Sequence, residues 1–175
     1  MTTRARGRSP DLRNLTWVTI AQRRMISSVR RVSVVGCSGA GKTTVAARLA
    51  GVLAVPHIEL DALHWGPDWC AASEADLADR VNDVIAGDAW VVDGNYQNKI
   101  GTLVWTRADT VVWVDPPRWK IMAQVTRRTL TRFVTRRELW NGNIEPIDAM
   151  KFWKGDDSVL AWAWKSYPRI QQRYE

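Results

Sequence analysis

The sequence predicts a three-layer α/β domain on a parallel sheet, and three observations lead there. Short branched apolar runs alternate with amphipathic helical segments, the pattern of right-handed β–α–β crossovers. A complete G-x-x-x-x-G-K-[ST] segment, Gly36-Cys37-Ser38-Gly39-Ala40-Gly41-Lys42-Thr43, joins the first such run to the first such helix. Three later apolar runs each close on an aspartate, Asp61, Asp93 and Asp115. In open α/β sheets ligands lie beyond the carboxyl ends of the strands, so these carboxylates should converge on the edge that carries the glycine-rich segment.

Taken in order, Val32-Ser33-Val34-Val35 reads as a buried strand. The glycines after it let the backbone turn so that successive N–H groups point inward at phosphate oxygens. Gly36, Ser38, Gly39, Ala40, Gly41, Lys42, Thr43 and Thr44 are the expected phosphate-binding residues. Lys42 reaches the β- and γ-phosphates of a nucleoside triphosphate in such a loop, and the Thr43 hydroxyl joins the coordination of Mg²⁺. A helix from Thr44 to Ala54, with Val45, Leu49 and Val52 on its inner face, aims its dipole at the same anion. The bland alternative is a glycine-rich turn with a chance lysine. The donors around Cys37 could lower its pKa, although a small residue that fits the loop is the simpler account.

His57-Ile58-Glu59-Leu60 is a short strand ending at Asp61, and Leu63 to Ala72 reads as a loop holding Trp65, Pro67 and Trp69. Ser73 caps a helix to about Ala86, with Leu77, Val81, Val84 and Ile85 facing inward. Ala89 to Asp93 is a strand stopped by Gly94, and Tyr96 to Arg107 is helical in part. Thr110 to Val114 is the fourth strand, closed by Asp115-Pro116-Pro117. A helix from about Arg118 to Arg136 follows, then an Asn141-Gly142 turn and a helix from Ser158 to Tyr167 that Pro168 should interrupt. Among the eleven tryptophans, Trp90, Trp105, Trp113 and Trp119 are expected in the core.

At 175 residues one domain with a full core is expected. No apolar run approaches the roughly 20 residues of a membrane span. Two cysteines suit a reducing, cytoplasmic setting. The net charge of +7 is local: residues 1–31 hold eight arginines against Asp11, while 32–175 carry 17 bases and 17 acids. Residues 1–29 are therefore expected to be a basic extension, unstructured over 1–24, ahead of a domain at 30–175. Met25 lies seven residues before Val32, where such domains commonly begin. Within the body, 32–115 is acidic and 116–175 basic, so metal and proton chemistry face a cationic closure.

Asp93 is the best candidate for a metal-linked carboxylate, against a strand-ending Asp-Gly turn. Asp61 either takes a proton from an acceptor hydroxyl or caps its own segment. Asp115, ahead of two prolines, reads as structural. Arg128, Arg132 and Arg136 recur at i, i+4 and i+8, a crowding of like charge that an anion would relieve. They close over a transferred phosphoryl group, or else form a solvated or nucleic-acid-binding face; Arg118 is a second candidate. Trp65 and Trp69 either stack on a flat acceptor or pack their loop. His57 and His64 are too isolated to suggest a metal site.

The chain resembles the adenylate-kinase-related P-loop family often labelled DNA topology modulation proteins. The likeness lies in Gly36–Thr43, His57–Trp65, Val91–Tyr96, Ala108–Asp115 and the arginine-rich helix. It implies a P-loop kinase-like fold with core strand order 2-3-1-4, Asp93 near Mg²⁺, and Arg128 and Arg132 in a lid. Members continue into a fifth strand beside the fourth, which a chain ending at Tyr174-Glu175 should lack. The resulting expectation is an ATP- and Mg²⁺-dependent kinase acting on a nucleoside- or nucleotide-like acceptor, with Lys42, Asp61, Asp93, Arg128 and Arg132 catalytic and Thr43 and Asp93 on the metal. One alternative is a zeta-like kinase toxin that phosphorylates an activated sugar and is held by an antitoxin. Another is a regulator that binds nucleic acid through its arginine arm.

Overall fold

The computed structural model describes residues 2–6, 29–136, 138–144 and 159–174. It is a mixed α/β fold on an all-parallel sheet. The strands are β1 (Thr2–Arg6), β2 (Arg31–Gly36), β3 (His57–Glu59), β4 (Trp90–Asp93) and β5 (Thr110–Asp115), in the order β1-β5-β2-β4-β3. The last four of these follow the expected core order. The helices are α1 (Lys42–Leu53), α2 (Leu60–His64), α3 (Glu74–Val84), α4 (Gln97–Ile100), α5 (Leu103–Arg107), α6 (Arg118–Thr135) and α7 (Val159–Tyr174).

Both faces of the sheet are covered, which is why its central strands read as continuous apolar runs. Alternation along β4 sends Val91 to one side and Trp90 and Val92 to the other. Val91 joins Val32, Val34, Ala46, Ala50, Ile121, Val125 and Ala163 beneath α1, α6 and α7. Trp90 and Val92 join Leu77, Val81, Ile85 and Val104 beneath α3 and α5. The Asp109 carboxylate accepts from the backbone N–H groups of Arg30 and Arg31, at 3.0 and 2.9 Å, and so fixes the start of β2 against β5.

Several sequence expectations are corrected here. A fifth strand is present at the edge of β5, and it comes from the opposite end of the chain. Thr2–Arg6 pairs in parallel with Val111–Asp115, taking up the backbone groups that an edge strand leaves open. Residues 7–28, the rest of the expected extension, lie outside the described residues. Asp61 does not end a strand; β3 stops at Glu59 and Asp61 sits in the first turn of α2. α1 buries Ala46 and Ala50, small enough to lie close on the sheet, which leaves Val52 76% exposed. Val84 and Trp119 also face outward, Trp119 at 73% exposure.

α7 runs through Pro168 instead of stopping before it. A proline has no N–H for the carbonyl four residues earlier, here that of Trp164. Arg118 supplies the missing donor: its Nη2 lies 2.9 Å from the Trp164 oxygen, and its guanidinium stacks 3.4 Å from the centre of the Trp164 ring. Arg118 thus ties α6 to α7, and its charge also reaches Cys37 in the loop. As expected, Ser73 caps α3, accepting from the Asp76 N–H at 3.1 Å. Among the described residues no helix is long and apolar enough to cross a membrane.

Candidate functional site

The segment Gly36–Thr43 spans the gap between β2 and α1, and its glycines are needed as much for packing as for approach to a ligand. Gly36 has φ +148°, and a Cβ there would stand 2.4 Å from the Val114 carbonyl oxygen. A Cβ on Gly39 would stand 2.1 Å from Cγ2 of Val125 on α6. The turn is closed by the Ala40 N–H to the Cys37 carbonyl at 3.0 Å. Asn95 holds the entry from both sides: its Oδ1 accepts from Gly36 N at 3.1 Å and its Nδ2 donates to the Gly36 carbonyl. α1 begins at Lys42 with no side-chain cap and no acid in its first turn. Uncapped first-turn N–H groups make such a terminus receptive to an anion.

Lys42 donates to the Cys37 carbonyl at 3.1 Å. Burial pulls its pKa down, the carboxylates of Asp61 and Asp93 push it back up, and the nearby Arg128 adds to the fall. Lys42, Asp61, Asp93 and Arg128 therefore share one electrostatic neighbourhood. Asp93 is only 3% exposed. Burial raises its pKa, against a hydrogen bond from Thr43 and the influence of His57, whose Nε2 lies 3.3 Å from Oδ2. Among the described residues no three His, Cys, Asp or Glu side chains group as a metal cage. The pairing of Thr43 with a buried carboxylate suits Mg²⁺, which takes few protein ligands and completes its shell with phosphate oxygens and water.

Cys37 departs from the reactive reading. Its side chain is buried against α7, with Sγ 3.6 Å from Ser166 Oγ and 3.7 Å from the Ala163 carbonyl. Burial raises its pKa despite Ser166 and Lys42. Asp115, at the end of β5, accepts from Gln171 on α7. The carboxylates of Asp61 and Asp93 both act on Lys42.

The arginine row divides. Arg128 reaches the loop, its Nη2 3.3 Å from Ser38 Oγ. One turn on, Arg132 lies over the Trp140 ring at 5.9 Å. Arg136 is exposed at the left-handed C-cap of α6, and no phosphate-facing contact accompanies it among the described residues. Arg127 is exposed, and Arg137 lies outside the described residues.

Beyond Asp93 the second half of the site is built from α2, the loop after it, and Tyr96. The Tyr96 hydroxyl donates to Asp61 Oδ1 at 2.6 Å. Burial and then the Asp61 charge raise the tyrosine's pKa, so it keeps its proton. Trp69 packs the loop: its backbone N–H donates to Asn143 Oδ1 at 2.8 Å, and its indole to the Ile144 carbonyl at 3.1 Å. Asn143 Nδ2 donates to the carbonyls of Gly66 and Trp140, each at 2.8 Å, while Asn141 Nδ2 donates to those of Ala62 and Trp65. The Trp140 indole donates to Glu59 Oε2 at 2.9 Å. The segment that leaves the arginine helix is thus laced to α2, which carries Asp61, and to the loop after it.

Sequence reasoning missed Asn95, His57 and Tyr96 as site members, and missed Asn141 and Asn143 as ties. Asn95 and Tyr96 stood within the Asp93-Gly94-Asn95-Tyr96 run already singled out, and that was the available signal. Neither a scan against protein-family models nor a search of the curated proteins found a match.

Proposed function

We propose that this chain is a P-loop kinase that uses ATP and Mg²⁺ to phosphorylate a small-molecule acceptor, with the family resemblance drawn above as its fold relation. The observation that carries the reading is the convergence of Lys42, Thr43, Asp93 and Arg128 on one uncapped helix start. Loop N–H groups and Lys42 hold the β- and γ-phosphates. Thr43 and Asp93 are the residues that would hold Mg²⁺, which supplies charge neutralisation across the phosphates. The acceptor oxygen bonds to the γ-phosphorus as the bond to the β-bridging oxygen breaks. ADP leaves, and the acceptor's proton passes to Asp61. Arg128 stabilises the charge spread over the transferring group.

Calorimetric titration of ATP with Mg²⁺ into the wild type and Lys42→Ala tests the reading. Saturable binding that the substitution removes from a folded protein supports it. Absent binding in the wild type, or unchanged affinity in the variant, overturns it.

A further inference from the structure

We propose that the acceptor side of this site takes a hydroxyl of a neutral polyhydroxylated ring, the sugar of a nucleoside or a free saccharide, in preference to a phosphate; the proposal rests on the kinase reading above. Asp61 is half-buried at the start of α2, and among the described residues only one of its oxygens has a hydrogen-bond partner. Oδ1 receives the Tyr96 hydroxyl at 2.6 Å, and Oδ2 takes no hydrogen bond from a described residue. An ionised carboxylate is purely an acceptor, so what fits against Oδ2 is a group that brings a proton. A sugar hydroxyl does; a phosphate dianion does not.

Charge points the same way. Glu59 and Asp61 lie on this side and Asp93 adjoins them, so a phosphate here would meet like charges at short range. Lys42, whose charge reaches Asp61, donates to the Cys37 carbonyl and Arg128 to Ser38, both in the nucleotide loop of the proposed site, and two further bases are turned to other tasks. The Lys99 ammonium lies 3.1 Å from His64 Nε2, and since an ammonium has only donors, the buried imidazole must accept there. Arg80 Nη1 donates to the Leu63 carbonyl at 2.8 Å. A neutral ring carries no such electrostatic penalty.

Shape completes the argument. Trp65 is half-buried in the same loop, its ring set edge-on to His64 at 4.7 Å and to Trp69 at 5.6 Å. The Asn141 side chain ties the Trp65 carbonyl, so the indole is placed on a fastened loop. An aromatic surface beside a hydrogen-bonding carboxylate suits a ring with an apolar face and a hydroxylated edge.

The test occupies the nucleotide site first with a non-hydrolysable ATP analogue and Mg²⁺, whose binding is measured on its own. D-ribose, N-acetylglucosamine, uridine and uridine 5′-monophosphate are then titrated by ligand-observed NMR into the wild type, Asp61→Asn, Trp65→Ala and Arg132→Ala. At least one neutral ring should saturate, and Asp61→Asn and Trp65→Ala should each weaken it about tenfold. Uridine 5′-monophosphate should bind no tighter than uridine. Preference among ribose, N-acetylglucosamine and uridine separates a free saccharide from a nucleoside. The proposal is overturned if no neutral ring saturates, or if the monophosphate binds about tenfold tighter than uridine and loses that gain in Arg132→Ala. Should a variant fail to fold, the wild-type comparison of uridine with its monophosphate still decides. Failed analogue binding sinks the kinase reading, and the same ring titrations on the empty protein then judge the acceptor site alone.

Discussion

The two ends of the site are built by different physics. The loop Gly36–Thr43 is eight consecutive residues whose shape comes from backbone conformation: positive φ at Gly36, Gly39 and Gly41, one tight turn, and an uncapped helix start. The end proposed to take the acceptor is assembled by side chains far apart in the chain. Trp140 and Glu59 are 81 positions apart, and Asn143 and Gly66 are 77. A local backbone device is specified mostly by neighbours in sequence. A laced loop depends on every partner arriving together. α6 bridges the two, with Arg128 on the loop and Arg132 one turn away over Trp140.

The sharpest break of the donor end is Lys42→Ala. Turnover should fall by about 10³-fold or more, since one preorganised donor at the developing charge is already worth about 10²–10³-fold. Near-UV circular dichroism should stay unchanged, and steady-state assay of the folded variant checks the loss. Burial holds the Lys42 pKa below its ordinary 10.5, so the unfolded chain binds more protons just below that value. The ligand-free protein should therefore gain stability as pH rises towards 10.5, and Lys42→Met should flatten that limb of a melting profile.

The next effect separates the ends of the arginine helix. Arg128→Ala should lower kcat by about 10²-fold with a smaller change in the ATP KM, as expected for charge needed mainly in the transition state. Arg132→Ala should lower it less, because its guanidinium lies towards Trp140. Equal losses would show that the two arginines act as one closure, and the division drawn here would be wrong.

Asp93→Asn probes the junction. Mg²⁺-dependent turnover should drop further than metal-free nucleotide binding, which the loop N–H groups retain. Burial raises the Asp93 pKa above its ordinary 3.8, so the native state holds the proton more tightly than the unfolded chain. That contribution is fully present below 3.8 and is lost as pH rises through the higher native value. Asp93→Asn should thus melt at a higher temperature than the wild type at neutral pH without ligand, and converge with it in acid.

The smallest effect on chemistry and the clearest on the acceptor end should come from Asn143→Ala. Its buried side chain makes three hydrogen bonds, and the polar groups left behind cost about 1–3 kcal/mol. Denaturant unfolding should register that loss, while ATP affinity stays within about twofold. A matching drop in ATP affinity would mean that the two ends are not separable.

The legible parts are those in which neighbours in sequence settle the geometry. The loop was readable because glycines, a lysine and a threonine at fixed spacing have few other uses, and the Ser73 cap because its acceptor serves an N–H three residues on. The apolar runs of β2, β4 and β5 declared a buried parallel sheet, and Asp93 at the end of one of them declared its edge. Tertiary structure decided the rest. Val52 fits an apolar stripe yet faces outward, because the sheet meets α1 through Ala46 and Ala50, and Trp119 faces outward because α6 turns Ile121 and Val125 to the core. Pro168 sits inside a helix because Arg118, 50 positions earlier, satisfies the carbonyl it frees. Thr2–Arg6 lies on β5, a placement its arginine-rich composition does not announce. Arg128 and Arg132 share a helix face but not a destination. Local pattern can state which groups want a partner; only packing in three dimensions determines which partner is within reach.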